Sequence, residues 1–175
     1  GIVIDLSKYI NTVRVDHENK LGFVGGGASW KDVDEEAITY GLASVGGTVN
    51  HTGVGGLTLG GSYGWLTGEH GMVIDNLVQL DLVWAIRGGG TNFGCVTEFV
   101  YRLHPQRATV YAGPLIFPPS MIETVTATLD EWYRDASEKE AILLVTTSRR
   151  PTGDPAIVVC VFFNGDEEGV KQGLR

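Results

Sequence analysis

The stretch Gly53-Val-Gly-Gly-Leu-Thr-Leu-Gly-Gly-Ser-Tyr-Gly64 sets repeated glycine among small and apolar residues, in a chain otherwise patterned like a globular enzyme. A flexible linker would carry polar filler and no aromatics. Here Val54, Leu57, Leu59, Tyr63 and Trp65 accompany the glycines, and more glycines flank the run at Gly46, Gly47, Gly68 and Gly71. The composition points to an ordered loop packed on a core. Its backbone N–H groups would be available at low steric cost to an anion or to the polar edge of a flat ring.

Working outward, 175 residues can hold one domain, or one and a piece of another. With 43% apolar and 19% charged residues the chain can build a sizeable core. A formal charge of −8 and a pI near 4.9 argue against nucleic acid or an anionic membrane surface, since the one basic cluster is Arg149-Arg150. Cys95 and Cys160 lie far apart within apolar, strand-like runs, so buried free thiols are expected and metal-ligand spacing is absent. No apolar stretch reaches the roughly 18 residues of a spanning helix. The opening Gly1-Ile-Val-Ile-Asp-Leu6 lacks a basic signal-peptide head and reads as a buried strand already under way, an expectation that this is not a natural domain edge.

Ile2 to Leu6, Thr12 to Asp16 and Leu21 to Val24 read as strands of a small antiparallel meander, with His17-Glu18-Asn19-Lys20 as a turn. Ser29 and Asp32 form a capping-box start, and Val33, Ala37, Ile38 and Tyr40 carry helical spacing, which predicts a helix from Trp30 to Tyr40 stopped by Gly41. Glycine dominates from Gly41 to Gly71. Asp81 to Arg87 reads as a short helix feeding Gly88-Gly89-Gly90, and Cys95 to Leu103 alternates like a strand that ends at His104-Pro105. Beyond Pro105 the order changes to strand (Thr109 to Phe117), amphipathic helix (Met121, Ile122, Val125, Leu129, Trp132, Tyr133), two strands (Ala141 to Thr147, Ala156 to Phe163) and a helix starting at Gly165. The expected fold is therefore α+β, with a domain over 1–104 and the beginning of another over 105–175.

The familiar phosphate motifs fail at fixed positions. Counting G-x-G-x-x-G from Gly53 puts Thr58 at the third glycine, from Gly88 it puts Phe93 there, and no glycine precedes Lys and Ser/Thr as a P-loop requires. Gly61-Ser62-Tyr63-Gly64 has the wrong spacing for a nucleophile elbow. No two histidines share the i, i+4 spacing of a metal site: His17 and His104 read as surface or turn residues, while His51 and His70 flank the glycine run. Asp34-Glu35-Glu36 and Asp166-Glu167-Glu168 read as acidic first turns of solvated helices. What remains is a large ligand held mainly by backbone, and a redox cofactor suits it because the hard chemistry then belongs to the cofactor.

The order of motifs resembles that of the FAD-linked oxidases whose flavin domain was first described in p-cresol methylhydroxylase and vanillyl-alcohol oxidase (the PCMH type), especially the berberine-bridge-enzyme-like branch. The matching pieces are Gly1 to Ser7, Val24-Gly-Gly-Gly-Ala-Ser-Trp30, Gly46-Gly-Thr-Val49, the Gly53 to Trp65 run, His70-Gly71, Asp75-Asn76-Leu77, and Trp84 to Gly94 continuing to Leu103-His104-Pro105. Gly113-Pro-Leu-Ile-Phe-Pro118 and Phe163-Asn-Gly-Asp166 resemble the start of that family's substrate domain. The resemblance implies a partial PCMH-type FAD-binding domain followed by the N-terminal part of an α+β substrate domain. It implies an FAD-dependent oxidoreductase whose flavin takes a hydride from an alcohol, amine or sugar-like small molecule and is reoxidised, often by molecular oxygen. It implies cofactor contacts from Gly47, Thr48, Val49, Thr52, Gly53, Gly56, Leu57, Gly60, Gly61, Tyr63 and Gly64 along the pyrophosphate, ribityl chain and isoalloxazine, and from Gly94 and Val96 near the adenine.

Departures from the pattern shape the expectation. The family's βαβ unit with its Arg-Gly-Gly-Gly-His loop has no counterpart here, Val49 stands where bicovalent members place cysteine, and a strand hairpin is missing between Val78 and Asp81. No catalytic residue carries over and no metal is expected. The leading expectation is a truncated flavin oxidoreductase with weak or no activity of its own. The rivals are a non-catalytic FAD or nucleotide-binding module and a purely structural or unfolded fragment, whose open sheet edges would invite aggregation.

Overall fold

The computed structural model describes residues 3–80, 94–148 and 153–166. It divides the chain into two compact units, Gly1–Ala108 and Thr109–Arg175. The first unit runs β1 (Val13–Asp16), β2 (Leu21–Gly25), α1 (Trp30–Ile38), β3 (Leu42–Ala43), α2 (Val54–Leu59), α3 (Thr67–His70), a 3-10 turn (Val73–Asn76), β4 (Leu77–Leu80), β5 (Glu98–Arg102) and β6 (His104–Pro105). The second runs β7 (Tyr111–Phe117), a 3-10 turn (Pro119–Met121), α4 (Ile122–Asp135), β8 (Glu140–Ser148) and β9 (Pro155–Phe163).

In the first unit an antiparallel sheet has the order β1-β2-β5-β4. The β1 to β2 hairpin forms because Asp16 accepts hydrogen bonds from the backbone and side-chain nitrogens of Asn19, at 3.0 and 2.8 Å, and Lys20 takes a positive φ. The helix α1 starts where expected: the Asp32 carboxylate accepts from the Ser29 N–H at 2.8 Å and from its hydroxyl at 2.7 Å, which also holds that carboxyl below the usual range. It ends at Ile38, two residues short of the expected Tyr40, and Gly41 at φ +66 turns the chain away just beyond. One face of α1 buries Trp30, Val33 and Ala37, and Ala37 packs with Leu42, Leu103 and Val15. Pro105 pairs with Leu42 across β3 and β6, so the first unit continues past it to Ala108.

The second unit is an antiparallel sheet of order β7-β9-β8 with α4 on one face. Val125 of α4 meets Ile157 and Val159 of β9, flanked by Phe117, Leu129 and Ile142. A groove of about 670 Å³ stays open between them, with Trp132 in its wall.

Several expectations are corrected. Val3 to Leu6 form no strand: the Ser7 N–H and hydroxyl both bond the Asp5 carboxylate, at 2.9 and 2.7 Å, and the Ile10 N–H closes a turn on the Leu6 carbonyl at 2.9 Å. Cys95 is exposed and Cys160 half-buried, so neither is the buried thiol expected; both are free. In α4 only Val125 is fully buried and Tyr133 turns outward at 62% exposure, so the covered face is narrower than the apolar spacing suggests. The helix expected over Asp81 to Arg87, the glycines Gly88 to Gly90 and the helix body beyond Asp166 lie outside the described residues.

Candidate functional site

The glycine run does not stay a loop. Val54 to Leu59 coils into α2, although each interior glycine disfavours helix by about 1 kcal/mol. Tertiary burial overrides that cost, because Val54, Thr58 and Leu59 are buried. Thr58 donates its hydroxyl proton to the Val54 carbonyl at 2.8 Å, which leaves its oxygen to accept from the Tyr101 hydroxyl at 2.6 Å. A buried polar bond thus bolts α2 to β5, and burial, against the opposing Thr58 bond, pushes the Tyr101 phenol upward so that it stays a donor.

Ahead of α2 the chain lies antiparallel to the start of α1. Trp30 and Lys31 donate backbone N–H to Thr52 and Asn50 carbonyls at 3.1 and 2.7 Å, Ser29 bridges Gly53, and the Val54 N–H reaches the Ala28 carbonyl at 2.9 Å. Behind this track backbones pass too closely for any Cβ. One built on Gly64 would fall 1.7 Å from the Gly46 carbonyl oxygen, on Gly26 2.0 Å from that of Val96, and on Gly27 2.3 Å from that of Leu6. At Gly47 it would meet Leu57 at 2.8 Å. At Gly53 and Gly56 it would meet nothing within 4 Å.

The residues implied as cofactor contacts therefore separate. Thr48, Val49, Thr52, Gly53, Gly56, Gly60, Gly61 and Tyr63 are exposed or half-exposed and follow one another along the chain, with Val49 and Tyr63 at 42% and 46% exposure. Gly64 and Val96 are buried behind the track, while Gly47 and Leu57 are half-exposed and a Cβ on Gly47 would meet the Leu57 side chain. Gly94 is exposed at φ +141. Trp65 steadies the track by donating its indole N–H to the Thr48 carbonyl at 3.1 Å.

Beyond α2 the chain turns through two successive left-handed residues, Gly61 at φ +92 and Ser62 at φ +54. Serine there is strained, and the turn is held by Ile74 and Val73 N–H groups on the Gly61 and Ser62 carbonyls, at 3.2 and 3.1 Å. His104, expected as a surface or turn residue, is half-buried instead: its ring stacks on His70, 3.7 Å between centroids, and bonds Asn76 at 2.7 Å. Thr58, Tyr101, Asn76 and His104 are the positions that sequence reasoning missed; only the odd placement of a polar Thr58 among apolar residues signalled one of them. No cluster of three or more acidic, histidine or cysteine side chains able to hold a metal occurs among the described residues, and no described helix is long and apolar enough to cross a membrane.

An open glycine track with a rigid back is the geometry of a nucleotide-cofactor domain that binds through its main chain. The chain belongs to the FAD binding domain family, which it matches over residues 1–91. It is 36% identical to the FAD-linked oxidoreductase pgmH of Aspergillus terreus over 98% of this chain and 39% of that protein. The aligned span of 194 residues exceeds this chain's own length, so pgmH carries residues with no counterpart here. The 6-hydroxy-D-nicotine oxidase of Arthrobacter nicotinovorans superposes with a TM-score of 0.84 at 27% identity, over 99% of this chain and 42% of its own. The berberine-bridge-enzyme-like protein 28 of Arabidopsis thaliana shares the fold at TM-score 0.78 and 21% identity, over 94% and 38%. The chain thus spans about two fifths of the relatives it matches, which are FAD-linked oxidoreductases.

The residues present fit FAD. Gly53 and Gly56 leave bare an exposed backbone face that a Cβ would fill, while Gly47 and Gly64 and the Thr58–Tyr101 bond keep the track from relaxing away.

Proposed function

We propose that this chain supplies one wall of the FAD site in a flavin-dependent oxidoreductase acting on a small alcohol, amine or sugar-like molecule, with molecular oxygen as an electron acceptor. Bound FAD would supply the hydride-accepting ring, and the chain's own part is to bind, orient and shield it. Thr48, Val49, Thr52, Gly53, Gly56, Gly60, Gly61 and Tyr63 would touch the cofactor, Gly47, Leu57, Gly64 and Val96 would set the track's shape, and Gly94 would flank the adenine end. The second unit would be the N-terminal part of the substrate domain.

The observation that carries the reading is the contrast at the glycines: open space at Gly53 and Gly56, and closed packing immediately behind them. Calorimetry on the 175-residue chain tests it. FAD should bind and ADP should compete for part of the same track; no heat with FAD would sink the reading. A second reading, binding without turnover, rests on the same bare backbone at Gly53 and Gly56, which can hold a cofactor but carries no side chain to act on a substrate. Flavin that binds but is not bleached by any substrate under anaerobic conditions would select it.

A further inference from the structure

Behind the strained turn, a chain of hydrogen bonds leads to the histidine stack. Asn76 is 3% exposed and spends both side-chain N–H donors on backbone carbonyls, those of His70 and Met72, each at 2.9 Å. Its oxygen can then only accept, so the His104 Nε2 that faces it at 2.7 Å must carry the hydrogen. A further proton on His104 can enter only at Nδ1, and it would place a charge 3.7 Å from the His70 ring. Asn76 ends the 3-10 turn whose first two residues, Val73 and Ile74, hold the Ser62 and Gly61 carbonyls.

We infer that the His70–Asn76–His104 cluster is a proton-sensitive clasp that sets the Gly61–Ser62–Tyr63 turn. The three residues come from α3, the 3-10 turn and β6, so the clasp gathers three elements at the far end of the track. Charged or titratable neighbours all bear the same way: His70, Arg102 of β5 and Lys20 of the hairpin turn oppose a charge on His104. Asp75 of the 3-10 turn, whose carboxylate accepts from the Met72 N–H at 2.9 Å, is not among the groups that act on His104. Burial first, then these three neighbours, push the His104 imidazole down to about 4 from 6.5. A fold that favours the neutral ring keeps this contribution above the ordinary histidine value and loses it as pH falls from 6.5 towards 4. His70, Asn76 and His104 are positioning residues: they act on the cofactor track only through the turn.

Nitrogen-15 and imidazole carbon-13 spectra of the full 175-residue chain, taken from about pH 7.5 down to about pH 3, test the clasp without any cofactor. The Gly61, Ser62 and Tyr63 amides should shift with the same midpoint as the His104 ring. That coupled shift should vanish in His104→Gln, whose amide can still donate to Asn76. His70→Phe keeps a stacked ring but removes the imidazole that opposes a charge on His104, and the His104 midpoint should rise. The clasp is overturned if the turn amides stay still while His104 titrates, or if they shift unchanged in His104→Gln. Any loss of FAD affinity over the same pH range rests on the FAD reading above, and a chain that shows the coupled shifts without binding FAD would retire that reading and keep the clasp.

Discussion

Gly64 and Gly56 lie eight positions apart in one motif and are glycines for opposite reasons. At Gly64 a Cβ would sit 1.7 Å from the Gly46 carbonyl oxygen; at Gly56 it would meet nothing within 4 Å. Gly25, Gly26 and Gly27 share the first condition, Gly53 the second. The difference teaches that bare backbone in this chain serves two ends: close passage of chain over chain, and an open face, along which the proposed cofactor would lie.

Substitutions can break that division. Gly64→Ala has nowhere to put its methyl group but into main chain, and should cost about 3 kcal/mol or more, read as a large drop in the denaturant midpoint. A fall under about 1 kcal/mol would show that the two strands of chain can separate and that Gly64 is not structural. Next in size is the bolt under α2. Thr58→Val leaves the Tyr101 hydroxyl buried without an acceptor and should cost about 2 kcal/mol, whereas Tyr101→Phe leaves Thr58 its bond to the Val54 carbonyl and should cost about 1. The reverse order would mean that the phenol finds another partner. Smaller again is the start of α1, where Ser29→Ala removes the hydroxyl bond to Asp32 but keeps the backbone one, for a loss of about 0.5 to 1 kcal/mol in urea unfolding. Acid should shrink that loss. Asp32, held below the usual carboxylate range by Ser29, contributes stability above its unfolded pKa that is lost as pH falls through its folded one.

Much of the frame was legible in the sequence. The capping pair at Ser29 and Asp32, the alternation of β5 and the apolar runs of β8 and β9 are local signals, and the elements formed where those signals lay. What failed was decided at a distance or by local competition. The apolar stretch before Ser7 reads as strand, yet the Asp5 carboxylate claims the Ser7 N–H, and Gly27 crosses the Leu6 backbone. α2 is invisible because glycine argues against helix, and only burial of Val54 and Thr58 reverses that. His104 looked like a turn residue because its partners, His70 and Asn76, are 34 and 28 positions away in the chain. Within the candidate site the same limit applies. The run announced bare backbone, but which glycines face solvent depended on Gly46, Leu57 and Trp30, none of which a motif can place.

The one substitution expected to cost no stability is also the most telling. Gly56→Leu adds a good helix former on an open face, so its unfolding free energy should match the parent chain's or exceed it by up to about 1 kcal/mol. Calorimetry with FAD on that variant, beside the parent chain, should show binding lost while the fold stands. Undiminished FAD affinity in a folded Gly56→Leu protein would contradict the claim that the open glycine track is where the cofactor lies.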